Sequence, residues 1–240
     1  MAQLFAGTSG FSYAAWKPDF YPKDVPATRF LEHYATRLNS VEVNYTFRQL
    51  PSVKTLENWL NATSPGFAFA CKAHMRLTHI MKMKDAEGFT EVFLKALEPL
   101  RAARRLGPVL FQFAPTFQCD LDRLDSYLPL LPSDLRFAFE FRHASWLIDA
   151  VYERLARKNI ALCLAESEKL QVPKVFTADF GYFRLRKGDY PESERIDIAR
   201  QVRDLLNAGR DTYVYFKHED DPHGALWAEE LISECRSRNE

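Results

Sequence analysis

The chain has 240 residues, 47% hydrophobic and 14% aromatic, which is ample apolar material for one large core and argues against disorder. Lys and Arg together number 32, as do Asp and Glu, so no global positive field draws the protein to nucleic acid or an anionic membrane, and only a local basic patch is compatible with that balance. The cysteines Cys71, Cys119, Cys163 and Cys235 lie far apart without a C-x-x-C pair, which excludes a zinc knuckle and a dithiol redox motif and points to reduced, mostly buried thiols.

Taken in chain order, eight short segments read as strands: Leu4 to Thr8, Val41 to Asn44, Phe67 to Lys72, Val109 to Ala114, Phe137 to Arg142, Ala161 to Glu166, Tyr182 to Arg186 and Tyr213 to Lys217. Helical spacing lies between most of them. Phe30, Leu31, Tyr34 and Leu38 keep it, as do Val92, Phe93, Ala96 and Leu100, then Leu121, Leu124 and Leu128, and later Val202, Leu205 and Leu206. Ser52 is placed to cap a helix start, Gly107 and Gly209 to follow helix ends, and Pro99 to divide its helix. After Glu166 the helical signal is poor, so one crossover helix is short or lost.

This alternation, without a composition break or linker, predicts an α/β fold: one domain over residues 1–240, a TIM-like (β/α) barrel of about eight parallel strands. The connections from strand to helix are the long ones: Ser9 to Ala27, Ala73 to Gly88, Lys187 to Ser193 and His218 to Gly224. In such barrels that end carries function.

The run FAFEFR sets Phe137, Phe139 and Phe141 against Ala138, Glu140 and Arg142 with strict period two, the mark of a strand with two distinct faces. If the bulky face packs on helices, the other points into the barrel. The same rule turns Glu42, Asn44, Lys72, Gln112, Arg184, Arg186 and Lys217 inward, at strand C-termini. Five of these inward residues are cations and only Glu42 and Glu140 are acids, so the mouth is expected to be cationic. A buried excess of charge calls for a counterion, such as a phosphate or carboxylate. Arginine's planar fork suits those groups. Buried ion pairs that merely plug the barrel are the structural alternative.

Glu140 and Glu42 also invite an acid/base pair, although cationic neighbours hold carboxylates ionised and disfavour a proton donor. HEDDPH, with His218, Glu219, Asp220, Asp221 and His223, and the pair His74 and His79 hold metal-ligand types but match no metal motif, so no metal site is assigned. The loop GFSYAAWKPDFYP offers Tyr13 and Trp16 either for stacking on a ligand or for a small lid core, and Arg76, His79, Lys82 and Lys84 either a track for a polyanion or a solvated face. MAQLFAG lacks the form of a signal peptide, and no apolar run approaches the roughly 18 residues of a membrane span. A soluble, cytoplasmic protein is expected.

The motifs GTSGFSY, WKPDFYP, VEVNYTF, LGPVLFQFAPTF, FEFRHASW and YFRLR, in this order along nearly the whole chain, resemble the YecE-like family, domain of unknown function 72. The resemblance implies a TIM-like barrel without a settled activity. It also implies polar positions at Thr8, Ser9, Glu42, Asn44, Lys72, Gln112, Glu140, Arg142, His143 and Arg184. This chain departs from the family pattern at Phe11, Arg48-Gln49, Arg186-Lys187 and Lys217-His218. The last two changes add positive charge at adjacent strand ends.

The function expected is therefore that of a barrel enzyme acting on an anionic, phosphate-bearing small molecule or nucleotide at the mouth. A non-catalytic protein for nucleic acid or another polyanion is the alternative, and a scaffold for a protein partner is a third. No cofactor is assigned and the oligomeric state is left open.

Overall fold

A computed structural model of the chain describes residues 1–217 and 221–236. Its strands are β1 (Leu4–Thr8), β2 (Ser40–Val43), β3 (Ala68–Lys72), β4 (Leu106–Gln112), β5 (Phe137–Glu140), β6 (Ala161–Leu162), β7 (Leu164–Ala165), β8 (Phe180–Leu185) and β9 (Asp211–Phe216). Each expected strand is present, the sixth split in two at Cys163. The helices are α1 (Phe30–Arg37), α2 (Tyr45–Arg48), α3 (Val53–Asn61), α4 (Glu87–Ala96), α5 (Glu98–Ala102), α6 (Leu121–Tyr127), α7 (Asp149–Arg157), α8 (Glu192–Asn207) and α9 (His223–Arg236). Ser52 caps α3 by accepting a hydrogen bond from the Thr55 N–H, and Pro99 enters at the start of α5, where its missing N–H costs nothing. No helix joins β7 to β8, as the weak signal after Glu166 predicted.

Gly107 does not end a helix. It lies inside β4, where an added Cβ would stand 3.3 Å from the Phe69 carbonyl oxygen, and the left-handed turn before the strand is made by Arg104 at φ 56°. Gly209 does follow α8, at φ +77°.

All strand pairs are parallel and fall into two sheets, ordered β1-β9-β8-β7 and β2-β3-β4-β5-β6. The expected continuous ring of eight strands is thus replaced by two sheets, and the seams show why. At the first seam a single parallel bridge joins Ser9 to Glu42. There side chains take the place of a ladder: Asn39 accepts from the Ala6 N–H and donates to the Leu4 carbonyl, while the Tyr34 hydroxyl accepts from the Thr8 N–H and donates to the Ser40 carbonyl. Gly7 permits the approach, since a Cβ there would lie 1.9 Å from the Ser40 oxygen. At the second seam the chain itself changes sheets. The Cys163 N–H donates to Phe139 of β5, and three residues later the Glu166 N–H donates to Arg184 of β8.

Two apolar layers result. Phe67, Phe69, Cys71, Val109, Phe111, Phe113, Phe137, Phe139 and Phe141 pack with the helices, as the stripes predicted. The inner layer contains Ala68, Ala70, Leu110 and Ala138 from one sheet and Phe180, Tyr182, Tyr213 and Tyr215 from the other. The expectation that every strand turns its bulky side outward therefore fails for β8 and β9. Small alanines on one sheet leave the room that the opposing aromatics fill, which keeps the interior close-packed. Cys71, Cys163 and Cys235 are buried, Cys119 is half-buried, and all four are free thiols. No helix among the described residues is long and apolar enough to cross a membrane.

Candidate functional site

The inner face turns polar at the C-terminal ends of the strands. Arg184, at the end of β8, reaches across to the opposite sheet. Its Nε and Nη2 donate to the two carboxylate oxygens of Glu42 on β2, at 2.9 and 2.7 Å, and its Nη1 donates to Glu140 on β5, at 2.5 Å. Tyr182 donates its hydroxyl proton to Glu42 at 2.8 Å, and the Gln112 amide of β4 donates to both oxygens of Glu140 at 2.9 and 3.0 Å. The Arg184 and Glu42 side chains are 1% and 0% exposed.

Burial alone would raise the Glu42 carboxyl, but the charge of Arg184 and its hydrogen bonds, aided by Arg186 and Ser9, bring it down to about 2. Glu140 moves in the same direction, its burial outweighed by Arg184, Gln112, Arg186 and Arg142. Both are therefore ionised at neutral pH. Neither is suited to donate a proton there, and Glu42 is sealed besides. The side chains of Glu42, Glu140 and Arg184 form a buried ion-paired cluster. Arg184 likewise is no open clamp, because each of its three nitrogens already donates to one of the two carboxylates and the side chain is buried.

The other cations differ. Lys72, at the end of β3, is 9% exposed, and its ammonium lies 4.1 Å from the centre of the Phe47 ring. Burial and the charge of Arg184 outweigh the attraction of Glu42 and Glu140 and pull Lys72 down to about 8. Arg186, half-buried just beyond β8, is also lowered by burial and by Arg184. No ion pair from a carboxylate among the described residues reaches either cation. Arg142 lies at the rim with half its side chain exposed, and its Nε stands 3.7 Å from Glu140.

His143 follows at once. Its Nδ1 accepts the Ser145 N–H and meets the Ser145 hydroxyl at 2.8 Å, and that hydroxyl already accepts the Cys119 N–H. The hydroxyl proton is thereby directed to Nδ1, which leaves Nε2 as the donor of the neutral ring. Asn44 donates to the Ser9 carbonyl at 3.3 Å, and Lys217 follows β9 with its N–H on the Leu185 carbonyl.

Trp16 does not line the mouth. It is fully buried among Tyr13, Phe20 and Tyr21, with Tyr21 stacked in turn on Phe30, so the aromatic loop is a lid core. Tyr13 is half-buried against Trp16. The next loop turns over the mouth with His79 edge-on to Phe47, its charge disfavoured by burial and by Lys72, Arg142 and Lys82. Arg76 and Lys82 lie over Phe89 and Phe117. Among the described residues no group of three or more His, Cys, Asp or Glu side chains could hold a metal ion. His218, Glu219 and Asp220 lie outside the described residues.

Two residues escaped the sequence reading. Phe47 stands in a short helix beyond β2, where strand parity does not apply. Glu166 follows the break in the sixth strand, accepts the Arg186 N–H and the Tyr190 hydroxyl, and so anchors the loop after β8.

These features define an α/β protein of parallel strands with a buried Glu-Arg-Glu cluster and, at the strand C-termini, cations that no carboxylate among the described residues pairs. The chain belongs to the family described as Protein of unknown function DUF72, whose model matches residues 5–240. It is 28% identical over 141 residues to UPF0759 protein YunF of Bacillus subtilis, covering 56% of this chain and 50% of that protein. It is 28% identical over 131 residues to UPF0759 protein YecE of Escherichia coli K12, covering 54% and 47%. The aligned stretches thus span about half the length of these curated relatives. A DUF72 family protein of Thermotoga maritima superposes with a TM-score of 0.85 at 28% identity, covering 96% of this chain and 98% of that one. Another, from Enterococcus faecalis, gives 0.77 at 18% identity over 98% and 97%, a likeness of fold alone.

Proposed function

We propose that the two sheets act as one TIM-like barrel domain whose mouth binds, and turns over, a phosphate-bearing small molecule. The observation that carries this reading is the pair Lys72 and Arg186, two cations withdrawn from water without a carboxylate partner among the described residues, beside a cluster whose acids are already committed to Arg184. Desolvating a cation is costly, and an incoming phosphate offsets that cost with charge-assisted hydrogen bonds. Lys72, Arg186 and the rim residue Arg142 form the clamp, with the His143 Nε2–H as a further donor and Lys217 and Asn44 at the margin. Glu42 and Glu140 hold Arg184 and set the field rather than transfer protons.

Calorimetric titration with pyrophosphate at low ionic strength tests the reading. Binding that weakens about tenfold or more in Arg186→Ala, on the scale of one lost charge-assisted hydrogen bond, supports it. Binding of single-stranded or duplex nucleic acid with a steep salt dependence, and none of pyrophosphate, replaces it with the polyanion reading. No affinity for either leaves the scaffold.

A further inference from the structure

Lys72 has features that anion binding alone does not require. Its backbone is fixed within β3, where its carbonyl accepts the Thr46 hydroxyl at 2.7 Å. Its Nζ makes no hydrogen bond or ion pair among the described residues and rests on the Phe47 ring. A simple phosphate anchor gains from remaining fully charged. Here every neighbouring cation works against that charge, and the nearby acids are committed to Arg184. The groups acting on Lys72 are Glu42 of β2, Glu140 of β5, Arg184 of β8 and Arg186 just beyond it, while His79 feels the charges of Lys72, Arg142 and Lys82. Burial, Arg184 and Arg186 outweigh the two acids and bring Lys72 down to about 8, so the free amine is a larger share of Lys72 at pH 7 than of an exposed lysine.

We propose that Lys72 is an imine-forming lysine, and that its partner is an aldehyde or ketone bearing a phosphate that Arg142 and Arg186 hold. This rests on the reading of the mouth as an anion site. The ammonium first gives up a proton to solvent. The Nζ lone pair then attacks the carbonyl carbon, forming the C–N bond as the C=O π pair moves to oxygen. After proton transfer from nitrogen to oxygen the carbinolamine expels water and leaves a C=N bond to Nζ. No oxidant or reductant takes part, and hydrolysis reverses every step. Phe47 gives the amine an apolar floor, and the arginines orient the carbonyl through its distant phosphate.

The experiment treats the protein at pH 7 with pyridoxal 5′-phosphate and, separately, pyridoxal, each with cyanoborohydride, and locates the reduced adducts by mass spectrometry. Exposed Lys54 serves as the internal reference. The expected result is labelling of Lys72 by pyridoxal 5′-phosphate roughly tenfold or more above Lys54, the direction set by its larger free-amine fraction. Excess pyrophosphate suppresses it, and pyridoxal gives far less. Lys72→Arg, which keeps the charge and cannot form an imine, loses the adduct assigned to Lys72 while Lys54 is labelled as before. An unlabelled Lys72 in a protein that binds pyrophosphate overturns the imine and leaves the anion reading intact. Equal labelling of Lys72 by both aldehydes, without pyrophosphate binding, keeps the reactive lysine and overturns its phosphate-bearing partner.

Discussion

Arg184 and Glu42 meet through two hydrogen bonds of 2.9 and 2.7 Å across the interior, from the last strands of one sheet to the first strand of the other. The same guanidinium also holds Glu140, so a single cation bridges two buried acids and leaves the trio with one negative charge in excess. Such a cluster is weak evidence for stability as a whole, yet removing one member is costly because the others remain buried.

Arg184→Met is therefore expected to destabilise the fold by about 3–5 kcal/mol at pH 7 in denaturant titrations. Without the arginine, burial is opposed only by Arg186 and Ser9 at Glu42 and by Gln112, Arg186 and Arg142 at Glu140, and both carboxyls are expected to rise above their unfolded values. The variant should consequently regain stability as pH falls from 7 toward 5, whereas the wild type should not.

In the wild type the sign is reversed. Glu42 is held at about 2, below its unfolded value of about 4.3, so its contribution is complete above the unfolded value and is lost as pH falls toward 2. Integrated over that interval the contribution is about 3 kcal/mol. Glu42→Gln should flatten the acid limb of a stability-versus-pH curve. An unchanged limb would mean that Glu42 is not held ionised by Arg184.

Lys72 carries the opposite linkage. Its folded value of about 8 lies below the unfolded value of about 10.4, so its charge opposes folding at neutral pH and that penalty fades as pH rises between the two. Lys72→Met should be more stable than wild type by about 1–3 kcal/mol at pH 7, with the gap narrowing toward pH 10. The difference between the two proteins isolates the lysine, because buried Cys71 and Tyr34 titrate in the alkaline range as well.

The strands and the phenylalanine stripes were legible because period two is a local property, visible in FAFEFR without any knowledge of what packs on it. The placement of Glu42, Glu140 and Arg184 on one inner face was legible for the same reason. The pairing of Glu42 with Arg184 was not, because it joins residues 142 positions apart in chain order and depends on how the sheets face each other. Counting charges treated Arg184 as free, when geometry commits it to the two acids and leaves Lys72 and Arg186 without a carboxylate partner among the described residues. The two seams were illegible too. Side chains of Asn39 and Tyr34 stand in for a backbone ladder, and no periodicity announces that substitution.

The most direct measurement is a crystal structure of the protein grown in phosphate or soaked with tungstate. The account predicts an anion at the strand C-termini within hydrogen-bonding distance of Lys72 Nζ and the Arg186 guanidinium, with Arg184 still bound to Glu42 and Glu140. An anion-free mouth in which a carboxylate side chain occupies Lys72 and Arg186 would contradict it.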